Sequence, residues 1–305
     1  MKIIFCFVTL LMLNTACFSQ KLWPHLQLKQ AAVYKCNILA KNQILQTING
    51  HQLDISTTIN ARMQFTVNGI NDTLYNVKMC YDSIGLKIDL LGATLNYNSD
   101  TVNAKNIFSA ILNRLKLRSC NLNLSHTGII MDIDSIETVL KNITDSIGNF
   151  SASQKEQALA QLQQTFSTGE VKAGIEAFTH IYPEAPVSRT EKWVIDNIIS
   201  GRMQANQHAI HFIKDVTAFN YVIEGGATIN TADAMASLNG MPVKYRLAGR
   251  SNATITVDKK TGWIKQAKIM RTLKGNAEIQ DNPKLPGGML IPTETIVTIS
   301  VLPDK

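Results

Sequence analysis

From Ile55 to Val67 the chain alternates without a break. Ile55, Thr57, Ile59, Ala61, Met63, Phe65 and Val67 take the odd positions, and Ser56, Thr58, Asn60, Arg62, Gln64 and Thr66 the even ones. A period of two sends successive side chains to opposite faces, so this stretch predicts a long strand with one dry and one wet face. Tyr75, Val77, Met79 and Tyr81 resume the pattern after Asn68-Gly69-Ile70-Asn71-Asp72, a run suited to a turn, which predicts an antiparallel hairpin. Val243, Tyr245 and Leu247 alternate with Lys244 and Arg246, and Ala253, Ile255 and Val257 lead into Asp258-Lys259-Lys260-Thr261-Gly262 and Trp263. Asp opening a turn and Gly supplying positive φ predict a second hairpin there. A last strand, Thr295–Val301, follows a Pro- and Gly-rich connector at 282–292.

Between these regions the period lengthens to that of a helix. Ile107, Phe108, Ile111, Leu112 and Leu115 form one apolar stripe, and Ile136, Val139, Leu140 and Ile143 another, opened by Asp134 with Glu137 as a capping box. Ser153 and Glu156 repeat that box before Ala158, Leu159, Leu162 and Phe166. A final helix around 170–179 carries Val171, Ile175 and Phe178, and Pro183 stops its extension. The fold class expected is α+β and β-dominated: long antiparallel strands in a curved sheet or half-barrel, with a mid-chain helical insertion. The divisions are a signal peptide at 1–19, an N-terminal β region at 20–104, a helical insertion at 105–182 and a C-terminal β region at 183–305. Residues 20–305 are expected to form one composite domain.

The N-terminus explains a separate feature. Lys2 precedes eleven residues, Ile3 to Leu13, interrupted only by Thr9. Eleven apolar residues are too few for a span of ~20, so the stretch reads as a secretory leader rather than an anchor. Cys17 and Ser19 supply small residues for cleavage before Gln20. The competing reading is lipidation at Cys17 after Ala16, with Asn14 standing where such signals prefer Leu. The expected location is exported, in the periplasm or at the outer-membrane surface. The mature chain keeps Cys36, Cys80 and Cys120, an odd number that makes a poor disulfide framework. Parity sends Cys36 and Cys120 toward the core as inert thiols, with a bridge between them as the alternative.

Motifs add mainly exclusions. The chain holds no G-x-S-x-G, H-E-x-x-H, paired C-x-x-C, G-x-G-x-x-G or phosphate-loop pattern. No cofactor is expected, no metal site, and no enzymatic activity. His208 and His211 sit three apart in an extended stretch, which puts them on opposite faces. Glu176 and His180 share a helix face and read as a solvated pair; Asp132 and Asp134 look like a calcium-loop fragment, but no oxygen-rich loop surrounds them and Asp134 reads better as the helix cap. Net charge is +7, and residues 241–274 hold nine basic side chains against one acid, Asp258. Lys244, Arg246, Lys265, Lys268 and Arg271 are the expected contacts to anionic lipid or glycan, unless they serve only to keep a sheet soluble. Nucleic acid is an unexpected partner for an exported chain, and no later stretch is apolar enough to span a bilayer.

The sequence resembles a family of uncharacterised exported proteins, found mainly in Bacteroidetes and known as a domain of unknown function. The resemblance rests on Gln46-Thr47-Ile48-Asn49-Gly50, on Leu124-Ser125-His126-Thr127-Gly128-Ile129-Ile130, on Tyr182-Pro183 with Trp193, and on Val257 through Trp263. Thr190-Glu191-Lys192 stands where members carry Gly-Asp. The Asp258–Trp263 turn is also similar to hairpins of lipoprotein-carrier-like envelope proteins, which implies a curved sheet around a helical plug.

These readings converge on a non-enzymatic envelope protein that binds lipid or another apolar ligand in a sheet cavity lined by Ile59, Met63, Phe65, Tyr75 and Met79. A structural or partner-binding surface protein with a filled core is the alternative, and an unmarked hydrolase the third reading.

Overall fold

In a computed structural model the chain is described over residues 21–101, 106–116, 118–238, 240–283 and 285–303. The expected leader and Cys17 lie outside the described residues. The chain begins with three long strands and a short one: β1 (Val33–Ile48), β2 (His51–Asn71), β3 (Leu74–Leu90) and β4 (Ala93–Asn98). Helix α1 (Ile107–Leu115), strands β5 (Ser119–Ser125) and β6 (Ile130–Ile133), and helices α2 (Ile136–Ser146), α3 (Ala152–Gln163) and α4 (Thr168–Thr179) follow. The second β region contains β7 (Lys192–Ile199), β8 (Ala205–Val216), β9 (Asn220–Thr231), β10 (Met235–Leu238), β11 (Met241–Asp258), β12 (Ile264–Ile279) and β13 (Met289–Leu302). The interval expected to be helical thus also carries two strands.

All thirteen strands join one antiparallel sheet in the order β6-β5-β3-β2-β1-β13-β12-β11-β9-β8-β7, with β4 beside β3 and β10 beside β11. The sheet is open, and β1 and β13 pair near its middle, Asn37 opposite Leu302. Its curvature follows from α4. This helix touches both β6 and β12, six strand spacings apart, or about 29 Å on a flat sheet. Twelve helical residues reach only about 18 Å. The sheet must therefore curl, and α4 crosses its hollow.

Both ends of α4 are tied down. At its C-terminus Thr179 Oγ1 donates to Gly128 O (2.8 Å), and Glu176 Oε1 accepts the N–H of Ile130 on β6 (2.8 Å). At its N-terminus Ser167 caps the helix, and Glu170 Oε1 accepts the Arg202 N–H (2.9 Å) in the β7–β8 turn. The helix so spans the gap that the open edges leave. Helices α1, α2 and α3 bury Ile111, Leu112, Leu140, Ile143 and Leu162 at 0–2 % exposure against the rest of the core. Fully burying such a side chain stabilises the fold by about 1.5–3 kcal/mol.

The segment before β1 closes one end of the hollow. Leu26 is fully buried, its N–H bonds His126 O (2.9 Å), and Gln27 N–H bonds Thr261 O (2.8 Å). Tyr182 OH donates to Gly262 O, Trp193 Nε1 to Ile181 O (3.1 Å) and Trp263 Nε1 to Lys35 O (3.2 Å). Asp258 Oδ1 accepts from the N–H groups of Lys260 and Thr261 (both 3.0 Å), making the hairpin turn that its sequence predicts. The conspicuous sequence blocks around 124–130, 182–193 and 257–263 therefore meet here as joints between the sheet, the helices and the leading segment.

Several local expectations shift. Asn68-Gly69 does not turn: the ladder slips between Val67 and Gly69, and β2 continues to Asn71. The reversal falls on Asp72 at φ 50°, because a two-residue turn keeps the ladder paired to its end. Ser135 rather than Asp134 caps α2, accepting the Thr138 N–H, while Asp134 Oδ2 takes the Asn121 N–H (2.8 Å). In α3 the box is Ser151 with Gln154, two residues ahead of Ser153. Cys36 and Cys120 are buried as expected, and both are free. They sit on β1 and β5, three spacings or about 14 Å apart along the sheet, beyond the ~7 Å that a bridge allows.

Candidate functional site

The sequence-predicted apolar stripe is gathered on the inner face but is filled. Phe65 lies opposite Met79 across β2 and β3, and both are 1 % exposed. Met63 and Tyr75 are also buried, and Ile59 packs partly buried beside them. The Phe65 ring meets Trp263 at 5.2 Å between centroids, and Tyr75 OH donates to Leu26 O (2.8 Å). The cleft described below is lined by other residues.

The basic positions divide. Lys244, Arg246 and Lys268 are on the outer face, and Lys265 stands exposed where the β11–β12 ladder slips. Arg246 pairs with Glu278 (3.2 Å), Lys244 with Asp233, and Lys265 lies 4.0 Å from Asp258. Acids from neighbouring strands thus answer much of a charge run that looks uncompensated in one dimension. Arg271 does not join this group. It shares the inward parity of Ala267, Ile269 and Leu273, and it lines a cleft beneath α4.

That cleft brings several polar side chains together beneath a helix. Its roof is α4 and the turn after it: Ala173, Glu176, Ala177 and His180. Its walls include Asn197 from β7, His211 from β8 and Arg271 from β12, and its floor is Gly225, Ala227, Ser251 and Ala253 from β9 and β11. Strand register builds the floor: Ala227 lies opposite Ser251, Ser251 opposite Arg271, and Gly225 between His211 and Ala253. Small residues there make room for larger ones alongside. A Cβ on Gly225 would sit 2.2 Å from His211 Nδ1, so glycine is what lets the imidazole lie flat across the strand. The ring stacks with Trp193 at 6.0 Å. The space within the cleft is about 40 Å³.

The electrostatics are those of groups removed from water. Burial first, and the Lys172 charge second, push His180 down to about 4; burial and then His180 do the same to His211. Burial raises the Glu176 carboxyl, against the opposing effects of the Ile130 N–H and Lys172. Burial likewise lowers Arg271, and Glu170 partly offsets this. Three buried atoms lining the cleft have no hydrogen-bond partner: Asn197 Oδ1, His211 Nδ1 and Arg271 Nε. Among the described residues Arg271 has no carboxylate within ion-pair distance, and no group of three His, Cys, Asp or Glu side chains could hold a metal ion. An unpartnered buried polar group costs about 1–3 kcal/mol, and more when charged, so three in one cleft require a reason.

Sequence reasoning singled out four of these residues in other roles. The opposite faces expected for His208 and His211 are observed: His208 Nδ1 meets Asp196 Oδ1 outside (2.6 Å), and His211 is 6 % exposed inside. Glu176 and His180 are not a solvated pair, because α4 is covered by the curled sheet where a lone helix would meet water. Gly225-Gly226 and Asn197 were missed. Paired glycines inside a strand pattern were the available signal, since they mark close approach of another group.

Among solved structures the chain is similar to lipovitellin in a structure of its lipid–protein interactions. Identity is 9 %, the TM-score 0.47, and the match covers 92 % of this chain and 26 % of that one. This chain spans about a quarter of lipovitellin's length. An outer membrane channel from Pseudomonas putida F1 matches at 7 % identity and a TM-score of 0.21, over 91 % of this chain and 97 % of the channel. A DUF1329 family protein from Desulfovibrio piger matches at 8 % and 0.17, over 88 % and 85 %. No curated protein matches the sequence. A family model does match, from residue 72 to residue 264, through the helices and into the second β region. The chain belongs to that family, described as a family of unknown function (DUF6263).

Proposed function

We propose that this chain is a non-catalytic binding protein of the cell envelope, holding an apolar or amphipathic ligand, such as a lipid, in the trough beneath α4. One observation carries the reading: the cleft combines a floor of small residues with three buried polar atoms that the protein leaves unpartnered. A filled structural core closes over apolar side chains, as the half under α1, α2 and α3 does. Unpartnered buried atoms also occur in the N-terminal half, at Asn42, Ser56 and His126, but under α4 three line one space floored by small residues. Protein pockets of this kind are mostly apolar with a few convergent polar groups. Glu176 is the carboxylate among the lining residues, and its Oε1 is already engaged by the Ile130 N–H, which favours binding over catalysis.

Forty cubic ångströms hold only a few water-sized groups. An acyl chain enters only if α4 lifts, so α4 acts as a plug that a ligand replaces. Export, which the leader-like residues 1–19 support, would put the protein among envelope lipids. No helix of the described residues is long and apolar enough to cross a membrane. Native mass spectrometry of protein purified from its own envelope is expected to show a co-purifying amphiphile. Absence of any, together with no uptake of a fluorescent fatty acid, would overturn the reading.

A further inference from the structure

We infer that Arg271 and Ser251 form an anion subsite at one end of the cleft, which fixes the ligand as an anionic amphiphile with a carboxylate or phosphate head. The inference rests on the binding reading above and sharpens its ligand class. Arg271 projects from β12 into the cleft beside Ser251, its opposite number on β11. Directly opposed side chains on one face have Cβ atoms about 5 Å apart, so the Ser251 hydroxyl and the Arg271 side chain rise side by side into the same cleft. Ser251 is 7 % exposed, and the Arg271 Nε is buried without a partner.

Arg271 is half-buried with its Nε fully covered, and a guanidinium drawn out of water is expensive unless an anion answers it. The protein's own acids do not. Glu170 is near enough to be felt, but it turns one oxygen to the Arg202 N–H and Glu176 turns one to Ile130, and neither comes within ion-pair distance of Arg271. Lys172 adds positive charge from α4 (3.9 Å from Glu176), and His180 and His211 are neutral at pH 7. The cleft is thus held ready for negative charge at its β12 end. From there the Ala253, Ala227 and Gly225 floor runs about 14 Å to His211, three strand spacings away. That floor has the length and the small side chains to carry an acyl chain leading away from the head.

The test compares ligands that differ only at the head. Dodecanoate, dodecanol and inorganic phosphate are titrated by calorimetry into purified wild-type protein and into R271M. Dodecanoate is expected to bind the wild type about tenfold more tightly than dodecanol, and R271M to erase that preference while keeping dodecanol binding. Equal wild-type affinity for dodecanoate and dodecanol overturns the subsite and leaves ligand binding in the cleft standing. Phosphate binding that depends on Arg271, without amphiphile binding, keeps the subsite and removes the amphiphile reading. Binding of none of the three overturns both. S251D covers the case in which R271M does not fold. Its carboxylate would answer Arg271 from within, so dodecanoate preference should vanish and the melting temperature rise. An S251D protein that still prefers dodecanoate rejects the assignment.

Discussion

Gly128 shows how much of this molecule hangs on single positions. It sits at φ +86°, and a Cβ there would lie 1.8 Å from the carbonyl oxygen of Thr179. Gly128→Ala therefore meets both left-handed strain and a backbone collision, at the point where Thr179 Oγ1 holds the end of α4. The expected loss is about 3 kcal/mol or more in chemical denaturation, from forced displacement plus a lost buried hydrogen bond. The same substitution at Gly50, with nothing within 4 Å, should cost only its φ penalty of about 1–2 kcal/mol. If the two variants are equally stable, the joint between α4 and β5–β6 is not as described. Residues of this kind were partly legible. Gly128 stood out within a conspicuous block, but its reason, a backbone 51 positions away, could not be read from the chain.

Elements were easier to read than their caps and faces. Strict alternation marked β2 and the start of β3, and the 3.6-residue stripes marked α1 and α2, because burial on one side selects those periods. What periodicity could not show was which neighbour covers each face. Arg271 illustrates this: its parity with Ile269 and Leu273 was visible, yet a count of charges along the chain grouped it with exposed lysines. The stripe on α4 likewise revealed Val171, Ile175 and Phe178 but not that the opposite side, with Ala173, Glu176 and His180, would also be enclosed. Val171, Ile175 and Phe178 anchor one side of α4 in the core, but its other side rests on the small and polar residues of the cleft and has less apolar contact to lose. Amides in the middle of α4 should therefore exchange with deuterium about tenfold faster or more than those of α2. Equal protection of the two helices would argue against α4 as a removable plug.

For the molecule as a whole, acidity acts through the imidazoles of the hollow. His180 and His211 are held at about 4 in the fold against 6.5 when free. Between those values the unfolded chain binds more protons, so stability falls as pH drops from about 6.5 toward 4 and is retained above that window. His211 alone would contribute on the order of 3 kcal/mol across the window. Glu176, raised by burial from 4.5, works in the opposite sense and softens the loss at the acid end. Lys172 beside His180, and His180 beside His211, act in the same direction as burial. Urea unfolding at pH 7 and pH 5 should show the wild type weaker at pH 5 and His211→Gln losing about half of that difference, His180 keeping the rest. An unaltered difference in that variant would remove His211 from the account.

The pairing of β1 with β13 has a consequence for how the chain is made. Strand β1 must wait for its partner β13, made about 260 positions later (Ile38 opposite Val301). Until then, one flank of each β half presents bare amides and carbonyls, a template for mispairing. The sheet cannot be completed while β13 is missing, because that strand alone joins β1 to β12. Cleavage between the halves should then leave fragments that aggregate alone and recombine when mixed, with strand β13 as the keystone.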